Sequence, residues 1–90
     1  MGTALFKIKL MPESPEIDLA KLQEFCAEVV AKVGGKVTGF EEDPVAFGLV
    51  ALIVSLRLSE DIEGTLVEDA LKNIEGVSSI NIIDYRRAIE

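Results

Sequence analysis

Histidine is absent from this 90-residue chain. Its absence removes the commonest general base and the commonest metal ligand together. Cysteine occurs once, as Cys26, which excludes an internal disulfide and suits a reducing compartment. Long apolar runs are missing as well. The longest, Val45 to Leu58, is broken by Gly48, Ser55 and Arg57 and is too short to span a bilayer. No basic n-region precedes an apolar h-region at the amino terminus, so no signal peptide is expected and the expected compartment is cytoplasmic. Positive charge is thin: nine Lys and Arg stand against sixteen Asp and Glu, a formal net charge of −7. Neutralising a phosphate backbone takes clustered cations, so direct nucleic-acid binding and anionic membrane surfaces are disfavoured. A partner with a basic or metal-bearing site is favoured instead.

What remains is ordinary globular material, 49% hydrophobic and 28% charged. That is enough for one core without disulfide or metal staples, and a single domain over residues 1–90 is expected. The most apolar stretch, Val45 to Leu58, is rich in β-branched residues and shows no polar face at helical spacing. It is expected to be a strand, with Val50, Leu52, Val54, Leu56 and Leu58 on one dry face. Val45, Phe47, Leu49, Ala51, Ile53, Ser55 and Arg57 alternate onto the other. Fully extended, the run would span roughly 46 Å, so a bulge or bend is expected at Gly48.

Around that strand the chain divides cleanly. Thr3 to Met11 alternates as a strand with Ala4, Phe6, Ile8 and Leu10 buried, and Pro12 and Pro15 end it. Asp18 is placed to cap a helix whose apolar stripe is Leu19, Leu22, Cys26, Val29, Val30 and Val33, stopped by Gly34-Gly35. Lys36 to Glu42 reads as a weak edge strand interrupted by Gly39. Thr65 and Glu68 have the spacing of a capping box before a second helix, with Val67, Ala70, Leu71 and Ile74 inward and Gly76 as its stop. Val77 to Arg86 reads as the last strand, with Ile80 and Ile82 on one face and Ser79, Asn81, Ile83 and Tyr85 on the other. The order strand, helix, strand, strand, helix, strand is that of an α+β, ferredoxin-like split βαβ fold (βαββαβ). Right-handed crossovers then put both helices on one face of a four-stranded antiparallel sheet, with the first and third strands central. The other sheet face is left uncovered, carrying Leu5, Lys7, Lys9, Phe47, Leu49, Ala51, Ile53, Ile83 and Tyr85.

Little in the chain reads as chemistry. Cys26 sits on an apolar stripe with no histidine to activate it, and reads as a small core residue. The acidic runs Glu41-Glu42-Asp43 and Glu60-Asp61-Glu63 lack the spaced pattern of a calcium loop and read as solvated turns, so no metal or cofactor is expected. The glycines do not have phosphate-cradle spacing. Nothing here looks like an enzyme.

Three stretches stand above this background: Met11-Pro12-Glu13-Ser14-Pro15, the run Pro44 to Leu52, and Ile74-Glu75-Gly76-Val77-Ser78-Ser79-Ile80 followed by Asp84-Tyr85-Arg86-Arg87. With the length and element order, they make the whole chain resemble the guanine nucleotide exchange domains of archaeal translation elongation factor 1-beta. Those domains are relatives of the catalytic carboxy-terminal domain of the eukaryotic beta subunit. The resemblance implies GDP release and GTP loading on the GTPase elongation factor 1-alpha, through disturbance of its Mg²⁺ and phosphate pocket. It further implies partner contacts at Phe47, which matches an aromatic before glycine in the eukaryotic domain. Arg87 falls where that domain has a lysine pushed toward the Mg²⁺ site, and Arg86 beside it is the other candidate. A monomer when free is expected. The residues by themselves also leave open a small ligand-sensing or dimerisation module that uses the uncovered sheet face.

Overall fold

The computed structural model describes residues 2–88, and the side chains of Phe47 and Ala88 lie outside that description. The elements in chain order are β1 (Thr3–Pro12), α1 (Leu19–Lys32), β2 (Lys36–Pro44), a 3₁₀ turn (Ala46–Gly48), β3 (Val50–Ser59), α2 (Gly64–Lys72) and β4 (Val77–Ala88). The strands lie in the order β2-β3-β1-β4, every neighbouring pair antiparallel. This is the split βαβ sheet expected from the sequence, with β1 and β3 central.

One side of the sheet meets both helices. Ile8 and Leu10 of β1 and Leu52, Val54, Leu56 and Leu58 of β3 interlock with Leu22, Cys26 and Val30 of α1 and Val67 and Leu71 of α2. Each of these side chains is at most 2% exposed, so the layer is dry throughout. α1 forms where expected: the Asp18 carboxylate accepts from the Ala20 and Lys21 amides at 3.0 and 3.4 Å, satisfying donors the first turn leaves unpaired. Its end is set by Gly34 in the left-handed region, φ +90°. Gly35 then passes close over β3. A Cβ at this position would lie 3.0 Å from the Arg57 carbonyl oxygen and 2.9 Å from Val30 Cγ1.

Four expectations are corrected. First, β3 begins at Val50, not Val45. Pro44 pairs with Val50 as the last rung of β2, and the Val45 amide donates to the Leu49 carbonyl at 2.8 Å, closing a hairpin loop. Gly48 is the break that was foreseen there, with φ +77°, but Phe47 and Leu49 belong to the loop and not to a sheet face. Second, Tyr85 lies on the helix side. Lys7 pairs with Asp84 and Ile8 with Ile82, so Ile83 is an extra residue that inverts the alternation beyond it. Tyr85 thus stands opposite Phe6, ring centroids 4.9 Å apart. Third, the capping box is not made. Gly64 opens α2 and Glu63 precedes it without a side-chain cap. A Cβ at Gly64 would stand 3.2 Å from Phe6 Cζ, so glycine lets the helix start two residues early, tight against β1. Fourth, Ala51 is not uncovered: it is fully buried on the helix-free face. The register places it beside the line joining Lys9 of β1 to Asp43 of β2, whose ion pair at 3.1 Å reaches across β3.

Because Leu56 is 1% exposed within the core layer beneath the helices, Leu56→Ala should cost about 2–5 kcal/mol. Urea unfolding should show the midpoint falling with an unchanged slope; a loss under about 1 kcal/mol would mean this layer is looser than its burial implies.

Candidate functional site

The three residues singled out from the sequence are not gathered into one pocket. Arg86 and Arg87 lie near the end of β4, opposite Leu5 and Ala4 of β1. Phe47 occupies the loop joining β2 to β3, at the opposite end of the sheet. Pro12 lies eight residue steps beyond Ala4 on β1, about 26 Å along the strand. The molecule's longest extent is 42 Å, so the candidate contacts stand near its two ends.

Successive strand residues point to opposite faces, and this divides the paired arginines. Arg86 lies on the helix-free face with Leu5, and its Nε contacts Asp84 two residues earlier at 3.3 Å. Arg87 lies on the helix side, where Nε donates to Glu60 Oε1 at 2.6 Å. Glu60 belongs to the turn between β3 and α2, and its amide is tied to the Gly2 carbonyl at 3.1 Å. The hydrogen bond from Arg87 holds the Glu60 carboxyl below the usual carboxylate range, and the same bond raises the guanidinium. Arg87 remains 67% exposed, so water screens the pair. The sequence offered no sign of this contact: Glu60 read as one more solvated turn charge, 27 positions from its partner.

The helix-free face is shallow. A depression of about 290 Å³ crosses it, bordered by Leu5, Lys7, Ser55, Asp84 and Arg86. Cys26 takes no part in any opening. It is fully enclosed, and desolvation pushes its thiol up to about 12, leaving it un-ionised at neutral pH. Among the described residues no three His, Cys, Asp or Glu side chains converge as a metal site, and no helix is long and apolar enough to cross a membrane.

Against known proteins, residues 5–88 match the EF-1 guanine nucleotide exchange domain. The chain belongs to this family. It is 48% identical over 83 residues to elongation factor 1-beta of Haloarcula marismortui, covering 91% of this chain and 93% of that one. It is 43% identical to elongation factor 1-beta of Halorubrum lacusprofundi, covering 97% of this chain and 99% of the relative. With elongation factor 1-beta of Methanothermobacter thermautotrophicus it shares 42%, over 97% and 98% of the two chains. Among solved structures, the C-terminal domain of the MgtC protein from Mycobacterium tuberculosis superposes with a TM-score of 0.69 at 11% identity, covering 97% of this chain and 89% of that domain. The ACT domain from GTP pyrophosphokinase of Chlorobium tepidum gives 0.61 at 14%, covering 88% and 96%. These two likenesses concern the fold alone. They show how common the split βαβ frame is, and the exchange-domain family is marked out by sequence carried on that frame.

Two measurements follow from the site's electrostatics. Native Cys26 should resist iodoacetamide at pH 8 and react at once in denaturant; rapid labelling of the folded chain would contradict its burial. The carboxyl of Glu60 is depressed from about 4.5, so its contribution is present above that pH and disappears as pH falls through the lower folded value. Urea titrations from pH 6 down to 3 should show Glu60→Gln flattening part of the acid loss seen in the wild-type chain.

Proposed function

We propose that this chain is a guanine nucleotide exchange factor for the GTPase elongation factor 1-alpha, acting in the cytoplasm as a single exchange domain over residues 1–90 and monomeric when free. The observation that carries the reading is the family match over residues 5–88, which takes in Phe47, Arg86 and Arg87. No covalent bond is made or broken in such a role. The chain binds one state of its partner more tightly than another, and whatever factor it removes from GDP affinity, GDP removes from its own.

Arg87 is the group we assign to the partner's Mg²⁺ and phosphate site. Its guanidinium is a planar fork that suits phosphate oxygens, and it is always charged. In the free chain Glu60 occupies its Nε, and on docking the partner's phosphate oxygens take the place of that carboxylate. Glu60 stays behind on the β3–α2 turn. Arg86 is the weaker candidate for this role, because its ionic partner Asp84 sits two residues away on the same strand and travels with it. A cation brought beside Mg²⁺ competes with what is often the largest local charge in such a pocket. Phe47, at the far end of the sheet, supplies a second and apolar anchor. Two anchors about 26 Å apart fit one partner surface of ordinary interface size.

Stopped-flow release of fluorescent GDP from elongation factor 1-alpha tests this directly. Micromolar chain should accelerate release; an unchanged rate sinks the proposal. Arg87→Ala should lower the maximal rate by roughly one to two decades, about 1.4 kcal/mol each. Phe47→Ala should act mainly by raising the concentration needed for half-maximal effect. Circular dichroism should show both variants folded.

A further inference from the structure

Tyr85 is the chain's only tyrosine, and there is no tryptophan. It stands on β4, an outer strand, and is 53% exposed. The core does not account for it. The side chains that build the dry layer, and those packed against its border, do not include Tyr85. Its ring rests instead on Phe6, centroids 4.9 Å apart and planes tilted by 53°. The start of α2 abuts Phe6 in turn, where a Cβ at Gly64 would stand 3.2 Å from Cζ. The tyrosine is therefore a large ring propped on a confined neighbour, with more than half of its surface offered to water. An aromatic held in this way loses little freedom when something covers it.

Its position gives that surface a use. The extra residue at Ile83 puts Tyr85 and Arg87 on the same side of the sheet, about 7 Å apart along β4. Arg86, between them, points to the opposite face. The tyrosine and arginine side chains are similar in length, so a surface touched by the Arg87 guanidinium lies within reach of the phenol ring. We infer that Tyr85 is a further contact residue for exchange, seated on an apolar patch of the partner GTPase that borders its phosphate site. The inference rests on the exchange reading and adds a residue to it. Continuity with Arg87 selects the occupant, because whatever admits that guanidinium also closes over the neighbouring ring. An apolar ring with a polar tip suits the rim of a pocket, where its body is dry and its hydroxyl stays wet. Tyrosine and arginine are also the residue types on which interface affinity is concentrated. The two side chains then divide the work: Arg87 acts on the nucleotide pocket, and Tyr85 holds the chain against it.

The single tyrosine makes the test direct. Chain carrying 3-fluorotyrosine should give one fluorine resonance, broadened by a soluble gadolinium chelate. Adding elongation factor 1-alpha loaded with GDP should shift that resonance and shield it from the chelate. In GDP-release assays, Tyr85→Ala should raise KM roughly five- to thirtyfold while the maximal rate stays within about twofold of wild type. Tyr85→Phe should keep the wild-type KM. Losing the contact with Phe6 will also lower the Tm of Tyr85→Ala, so Val30→Ala, in the enclosed core under α1, is the comparison. It should lower Tm at least as much and leave KM unchanged. If the wild-type chain accelerates release while its tyrosine stays as open to the chelate in the complex as in the free chain, this inference falls alone. It falls equally if KM follows Tm across Tyr85→Ala and Val30→Ala. A resonance in the free chain that shifts with the chain's own concentration would make a second copy the occupant, and overturns it too. A wild-type chain that leaves GDP release unchanged overturns the exchange reading and this one with it.

Discussion

Everything in this molecule is positioned by one dry layer, the inner faces of β1 and β3 pressed against α1 and α2. Ile8, Leu10, Leu52, Val54, Leu56 and Leu58 supply it from the sheet, and no buried side-chain polar atom among the described residues lacks a partner. Apolar burial of this kind has no direction of its own. Direction comes from the strand ladder, whose strict two-residue period decides which side chains meet the helices and which meet water. The layer therefore fixes two things at once: a core on one side, and on the other a platform whose surface pattern is free to vary.

That freedom lets one frame carry many surfaces. The same frame carries domains of unrelated sequence at 11% and 14% identity. Here the exposed side is laid out by rows. Near the β2–β3 loop, carboxylates of β2 dominate, and Lys9 reaches across β3 to Asp43 beside the small Ala51. Near the end of β4, Arg86 is paired with Asp84.

How much of this was readable beforehand depended on whether the cause lay nearby in the chain. The element order, both central strands, the Asp18 cap and the left-handed stop at Gly34 were legible, because alternation, caps and glycines act within a few residues. The extra residue at Ile83 was not. Ile82 and Ile83 are both apolar, so either phase of alternation fitted the sequence equally well, and Tyr85 was assigned to the wrong face. The loop Val45 to Leu49 is as apolar as a strand, and only the pairing of Pro44 with Val50 marks it as a hairpin end. Thr65 and Glu68 had the right spacing for a capping box, yet the close approach of Gly64 to Phe6 moved the helix start. As for the candidate site, Phe47, Arg86 and Arg87 came from family resemblance, and nothing local revealed that Glu60 grips Arg87 or that Tyr85 rests on Phe6. Those contacts join positions more than twenty residues apart. They exist only once the sheet does.

The two outer strands carry one further consequence. An outer strand presents unpaired backbone groups that invite another chain to add on. β4 is twelve residues long, which would make it a ready template, but its pairing with β1 slips at Lys7/Ile8 and again at Met11/Pro12. A bulged strand twists away from the flat line that a stacking neighbour needs. β2 is guarded by other means: Glu41, Glu42 and Asp43 place three negative charges in succession, and Pro44 withholds an amide. The irregularity that puts Tyr85 on the helix side thus also works against edge-to-edge pairing.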